Sequence, residues 1–354
     1  MDLSVQEARA LFTSEVVDVY RERNRPTPFL QSFFTSTTTG SLNVSIEVER
    51  GSERVAADVV RGTDGKRNTW TRTTQKLIQP PYYREFFDLT QLQMYDTLFV
   101  QNGAVTTKVL DAIIRDGAER LEEVTDKIVR AKEVQASNVF VDGIVKLKSM
   151  DNIDFKRKSA SIVDKGAGQY WATNGVNPFK DFAAGCKFLR ITGKAMGGTF
   201  NAILGEGVLG DLFTNDVFLK RQDLKNMALD SVAPPTRDAI GSAYHGTITC
   251  GAYRVHLWSY PQYYDVVSGE TVTSAQYIPD ELVVLIPVAP KFKMAHAAVP
   301  QLVEPGGAPE IGEYIFNQKR DTWDATHLMD VKSAPVAIPT AIDQIYTLQA
   351  KASA

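Results

Sequence analysis

Residues Val105–Ser137 read VTTKVLDAIIRDGAERLEEVTDKIVRAKEVQAS, and their hydrophobic pattern sets the length scale of the molecule. Leu110, Ile113, Ile114, Leu121, Val124, Ile128, Ala131 and Val134 recur every three or four residues, which predicts a helix with one apolar face. Arg115, Asp116, Glu119, Arg120, Glu122, Glu123, Asp126, Lys127, Arg130 and Lys132 fall between them and are expected on the solvated side. Thr106 or Thr107 can cap its start, and Glu123 precedes Lys127 by four residues, a favourable acid-before-base spacing. Only Gly117 interrupts, at a cost of about 1 kcal/mol relative to alanine. Such a helix extends on the order of 48 Å, well beyond the usual three turns. It has no sustained heptad seam flanked by charges, so a strut along an extended body fits better than a coiled coil.

Upstream, residues 2–20 form an amphipathic helix pattern, followed by RERNRPTPFLQSFF (21–34), which Pro26 and Pro28 force toward extended geometry. Phe29, Leu30, Phe33 and Phe34 find no local core in that stretch and are expected to pack on another body, in the same chain or a neighbouring one. From Ser41 the period becomes two: SLNVSIEVER and ERVAADVV lead to the turn signal Gly62-Thr63-Asp64-Gly65, then Lys66-Arg67, and NTWTRTTQKLI returns to Ile78. A hairpin this long with so little apolar content needs support from something else. Trp70 near its tip is an anchor candidate.

Downstream, Val139–Lys148 and Ile153–Ile162 read as paired strands, and Gly166-Ala167-Gly168 with Tyr170-Trp171 as a loop anchored by the tryptophan. Pro178 opens a helix to Ile191, Thr199–Leu204 is a buried strand, and Leu209–Leu229 a further helix. Thr247–Tyr260 is a strand pair around Gly251, Glu281–Val288 an apolar central strand, and SAPVAIPTAIDQIYTLQA supplies two closing strands. The fold class is therefore α+β.

The chain's 354 residues carry a net charge of −3, which excludes a global basic field for nucleic acid or an anionic membrane. No run approaches ~18 consecutive apolar residues, so no membrane span is expected. Cys186 and Cys250 lie far apart without ligand spacing; two buried thiols in a reducing compartment fit, and a disulfide is the alternative. His245, His256, His296 and His327 show no metal-binding spacing, and no nucleophile motif is present, so neither metal nor catalytic residues are assigned. Gly205-Glu206-Gly207-Val208-Leu209-Gly210 matches GxGxxG. However, Glu206 would sit by the phosphate, and no acid-ended strand follows about 20 residues later. The motif is read as a close-packing turn, and no cofactor is expected. Lys156-Arg157-Lys158 is read as a solvated basic turn, with a subunit or DNA phosphates as alternative partners.

The order of these pieces resembles the major capsid proteins of tailed bacteriophages, the Hong Kong 97 fold, and more closely the lambda-type E family. The residues that carry the resemblance are PTPFLQSFF leading into Thr37-Thr38-Thr39, the hairpin, YPQYYDVVSGETVTSAQYIPDELVVLIP, and the terminal SAPVAIPTAIDQIYTLQA. The resemblance implies an N-terminal helix and arm (1–34), an E-loop hairpin and return (35–88) and a P-domain (89–175) with its spine helix at 105–137. It further implies an A-domain (176–321) and a C-terminal return to the P-domain (322–354). It implies no enzyme, but a shell of hexamers and pentamers enclosing packaged double-stranded DNA, held non-specifically, in a virion assembled in the bacterial cytoplasm. Phe29, Leu30, Phe33, Phe34, Lys66, Arg67 and Trp70 are then candidates for contacts between subunits, and Gly117 for a hinge. Expected partners are further copies of the chain, a scaffold protein in trans (little sequence precedes the arm), a portal, and a decoration protein at three-fold axes. Alternatives are an encapsulin-like nanocompartment, a tail or baseplate protein, and a nucleotide-binding enzyme using residues 205–210.

Overall fold

The computed structural model describes residues 25–48, 74–90, 107–148, 150–225, 241–268, 271–300, 309–321 and 326–353. The side chains of 107–119 are outside that set, as are the N-terminal helix pattern and the hairpin tip with Lys66, Arg67 and Trp70.

The arm enters through a 3₁₀ turn, Leu30–Phe33, and continues as β1 (Phe34–Thr38), which runs parallel to β14 (Phe292–His296). The predicted hairpin is present at its base: β2 (Val44–Val48) pairs antiparallel with β3 (Thr74–Ile78). Val44 faces Ile78 across that ladder, and both are buried in the chain's own core. The return, β4 (Tyr83–Thr90), is the edge of a three-stranded sheet with β15 (Ile315–Asp321) and β16 (Thr326–Ser333).

The long helix, α1, spans Thr107–Val141 without a break at Gly117, about 52 Å. It runs past the predicted end into what reads as a strand, because Asn138–Val141 continue the helical face with Val139 and Phe140 buried. The stop is Gly143, whose φ of 75° only glycine adopts freely and whose N–H closes the last turn on Val139 O. The strand pair expected after it shrinks to β5 (Ile144–Val145) and β6 (Ile153–Asp154).

The centre is a six-stranded sheet in the order β7-β18-β13-β8-β10-β9. Its members are β7 (Ile162–Asp164), β8 (Thr199–Leu204), β9 (Ala243–Cys250), β10 (Tyr253–Ser259), β13 (Leu282–Pro287) and β18 (Tyr346–Gln349). Every second residue of β13 faces a different core: Val283 and Leu285 one way, Val284 and Ile286 the other. This two-sided burial explains why the strand has no polar alternation. On one face lie α2 (Pro178–Ile191), capped by Asn177, and α3 (Glu206–Thr214). The single helix expected over Leu209–Leu229 is two, α3 and α4 (Asp216–Lys225), because Asn215 interrupts it. Its side-chain oxygen accepts from Val217 and Phe218 N–H, while its amide donates to Trp171 and Val176 carbonyls.

On the other face lie the arm, the C-terminal end of α1 and a three-stranded sheet in the order β1-β14-β17, with β17 at Pro335–Ile338. The closing segment therefore serves both bodies: β17 beside α1 and β18 in the central sheet. Within 176–321, β14 and β15 likewise pair on the α1 side rather than in the central sheet. Residues Tyr263–Ser268 (β11) and Thr271–Gln276 (β12) form a separate ribbon, with Val267 and Val272 exposed.

Candidate functional site

The last three turns of α1 are where every neighbouring body meets. Contrary to the expectation for Lys132, four polar residues there are buried: Lys132, Glu133, Gln135 and Ser137. Successive helical residues are rotated by about 100°, so these side chains leave in different directions and reach different elements. The Glu133 carboxylate accepts from the Leu30 N–H at 2.6 Å and the Gln31 N–H at 3.0 Å, seating the arm's 3₁₀ turn. The Gln31 side-chain amide donates to Val129 O at 2.8 Å. Gln135 donates to Tyr83 Oη at 3.0 Å and Pro335 O at 3.2 Å, and accepts from Ala337 N–H, which ties β4 and β17 to the helix. Ser137 donates to Tyr277 O, at the foot of the β11–β12 ribbon.

The helix end is closed by a residue the sequence placed in solvent. Arg157 is no solvated turn residue: its guanidinium donates to Phe140 O (3.0 Å), Val141 O (3.1 Å), Ser161 O (3.0 Å) and Thr347 Oγ1 (2.8 Å). A cation at orphan carbonyls of a helix C-terminus is favoured both by hydrogen bonding and by the helix dipole. Burial pulls its pKa down to about 10, still leaving it charged at neutral pH. Its neighbours do behave as surface residues, Lys156 pairing with Asp154 and Lys158 with Asp343.

A second polar cluster joins α1 to β1, β14 and the two residues leading into β15. Lys132 Nζ donates to Glu313 Oε1 at 2.7 Å and to Tyr314 Oη at 2.8 Å. His296 lies 3.7 Å from Glu313 and 3.3 Å from Ser36 Oγ on β1. Burial, then the Lys132 charge, hold the His296 imidazole down to about 4, so it is neutral at physiological pH. Burial alone would raise the Glu313 carboxyl, but the hydrogen bond and charge of Lys132 outweigh it and hold it below its usual value. Glu133 goes the other way: burial lifts its carboxyl to about 7 against the hydrogen bonds from the arm.

The candidates named from the sequence separate into three groups. Phe29, Leu30, Phe33 and Phe34, expected to pack on another body, are buried within their own chain against Ala136, Val139, Phe140, Trp258 and Phe292. The extended arm looked coreless because its core lies more than a hundred residues away. Lys66, Arg67 and Trp70 lie outside the described residues, and Gly117 sits inside α1. Glu133, Gln135, Arg157 and His296 were missed as sites. The available signal was the run AKEVQAS, where Ala131 and Ala136 leave room for close approach beside polar groups that a solvated face would not need to hold.

The glycine motif is filled by protein. A Cβ on Gly205 would overlap the Pro279 carbonyl oxygen and lie 2.8 Å from Asp280 backbone, and Val208 N–H donates to Asp280 O at 2.9 Å. The start of α3 thus holds the 279–280 backbone where a pyrophosphate would have to bind. Cys186 and Cys250 are both buried and unbridged, and burial pushes the Cys186 thiol up to about 12. No cluster of metal-ligating side chains and no helix able to cross a membrane occurs among the described residues.

Among the described residues the arrangement is therefore a strut helix with an arm, a hairpin base and a central sheet packed around its C-terminal end. The family described as phage major capsid protein E matches residues 13–350. The chain belongs to that family. A solved structure described as a prophage capsid protein of E. coli CFT073 is 17% identical, with 97% of this chain and 99% of that one covered and a TM-score of 0.61. A phage-related protein from Bordetella bronchiseptica RB50 is 11% identical, with 93% and 94% covered and a TM-score of 0.56. The mature capsid of bacteriophage PhiM1 is 10% identical, with 94% and 89% covered and a TM-score of 0.50. At these identities the structures establish the fold, which is the Hong Kong 97 type. No curated protein matches the sequence. The capsid protein is a structural subunit of an icosahedral phage shell, which self-associates into capsomers, and the family match favours this over an encapsulin.

Proposed function

We propose that the capsid protein builds hexamers and pentamers in which the hairpin, residues 41–78, lies over the spine-helix domain of an adjacent copy. The observation that carries this is the division of labour at the hairpin base. Val44 and Ile78 are anchored in the chain's own core, while Leu77, next in line on β3, is 69% exposed. The outer face of the β15–β16–β4 sheet offers a matching surface, with Phe86 56% exposed beside the Arg84–Asp330 pair at 2.7 Å. A mixed aromatic and charged surface of this kind suits an interface. Lys66, Arg67 and Trp70 would make the contacts at the tip, and residues before Arg25 would reach a further neighbour.

The shell encloses double-stranded DNA without sequence-specific contacts, in keeping with the net charge of −3. Assembly proceeds in the bacterial cytoplasm with a scaffold in trans, a portal and a decoration protein at three-fold axes. The helix end is locked from Lys132 to Val141, so a change of subunit shape during packaging would bend α1 nearer Gly117. Size-exclusion chromatography and negative-stain microscopy of the chain, alone and with its neighbouring genes, test the reading. Closed shells or five- and six-membered rings are expected, and Trp70→Ala is expected to abolish them. A stable monomer under all conditions would remove the proposal. Gly117→Ala shells that expand as wild type does would remove the hinge.

A further inference from the structure

We propose that Glu133 is a positioning residue for assembly: it sets the direction in which the N-terminal segment leaves the subunit, and so where that segment meets a second copy of the chain. This rests on the reading that the segment reaches a neighbour.

Burial of Phe29, Leu30 and Phe33 already holds the arm root down, but apolar burial is non-directional and permits the turn to pivot. Glu133 supplies the missing orientation. It grips two consecutive backbone N–H groups, those of Leu30 and Gln31, one on each carboxylate oxygen. Two bonds to adjacent peptide groups fix an axis, where one would fix only a point. The third bond, from the Gln31 side chain to Val129 O, lands one helical turn earlier on α1 and is held in the same frame. Upstream, the Tyr260 hydroxyl, which also lies within hydrogen-bond reach of Glu133, donates to Thr27 O. Gly241 packs so closely on the Thr27 side chain that a Cβ there would lie 2.7 Å from it. Thr27 to Gln31 is thus seated from both sides, which fixes the direction in which the arm root points.

A purely apolar joint would be cheaper here. Placing a carboxylate where only 1% of its residue is exposed costs several kcal/mol of desolvation, and a leucine or methionine would fill the space without that penalty. The group gripped is backbone, so the seat depends little on the identity of the arm residues. What the carboxylate adds over a hydrophobe is a fixed geometry between arm and spine helix.

The test compares wild type with Glu133→Gln, which keeps the shape but turns an NH2 toward one of the two amides. Global thermal melting, site-resolved hydrogen exchange and electron microscopy of assembled particles are read on the same preparations. The expected result is exchange at Leu30 and Gln31 at least tenfold faster, exchange in β8 and β13 unchanged, and particles that are open or irregular in place of closed shells of one size. Unchanged exchange at Leu30 and Gln31 would overturn the seat itself. Faster exchange with normal shells would overturn the positioning role. Should Glu133→Gln fail to fold, Glu133→Met, which fills the space but grips neither amide, decides: irregular particles support the proposal, and wild-type shells overturn it. Failure of the wild-type chain to assemble would instead count against the cross-subunit reading.

Discussion

The two faces of the central sheet are built on different physics. Beneath α2 and α3 the core consists of Trp171, Phe182, Cys186, Leu189, Phe200, Leu204, Val255, Val283 and Leu285, with Trp171 bonded to Asp181 at its margin. Around the end of α1 a larger apolar cluster surrounds Lys132, Glu133, Gln135, Ser137 and His296. The first core is held chiefly by dispersion and burial, its polar bonds from Asp181 and Asn215 lying at the Trp171 margin. The second receives the arm root, the hairpin base, β4, β17 and the foot of the β11–β12 ribbon, which converge on it from distant parts of the chain. Hydrogen bonds from a rigid helix give direction, and their cost is the desolvation of the polar groups that make them.

The difference can be broken on the apolar side first. Phe182→Ala should destabilise the subunit by about 3–5 kcal/mol through transfer loss and cavity formation, read as a lowered denaturant midpoint. Soluble capsid protein should fall in proportion. On the polar side, Arg157→Met removes the donors to Phe140 O and Val141 O while keeping the packed stem. The loss should be about 1–2 kcal/mol, since Val141 O loses its side-chain donor while Phe140 O keeps the Thr347 hydroxyl. Amide exchange should rise in the last turn of α1 and not in α2.

A pH series acts on the α1 side, where two buried groups titrate in opposite senses. Glu133 titrates at about 7 in the folded chain against an ordinary 4.5. The folded state therefore holds that proton longer, and the stability Glu133 lends is complete below its unfolded pKa and lost as pH rises through about 7. His296, at about 4 instead of 6.5, acts oppositely, its contribution being complete above 6.5 and lost as pH falls through 4. The two slopes oppose each other between 4.5 and 6.5. Glu133→Gln should remove one of them, so that the variant gains on wild type by up to roughly 3 kcal/mol as pH rises from 4 to 8. Denaturant midpoints at four pH values measure it, and a difference independent of pH would contradict the assignment.

The smallest expected effect lies in the glycine motif. Gly210 is in α3 with open space around its Cα, so Gly210→Ala should stabilise by about 0.5–1 kcal/mol. Gly205→Ala should instead destabilise, since the atoms in its way are backbone and cannot step aside. Melting temperatures of the two variants give the sign of each effect.

Much of this molecule was legible in one dimension. The strut helix, the Pro178 helix start, the β8 and β13 strands and the hairpin base follow from periodicity, the first-turn proline and turn chemistry, all of which act between residues close in sequence. The family followed from the order of those pieces. The boundary at Val141 was misread because VFVDGIVKL satisfies a strand pattern locally, and only packing of Val139 and Phe140 against the arm and β14 selects the helix. The arm's core, the seat made by Glu133 and the cap made by Arg157 join residues up to about two hundred positions apart. Charge and hydropathy describe what a side chain can do in water; tertiary structure decides whether water is there. That is why the sequence alone sufficed for a shell protein with a strut, an arm and a hairpin, while which of its charged residues are buried where helix, arm and sheets meet was settled only by the folded chain.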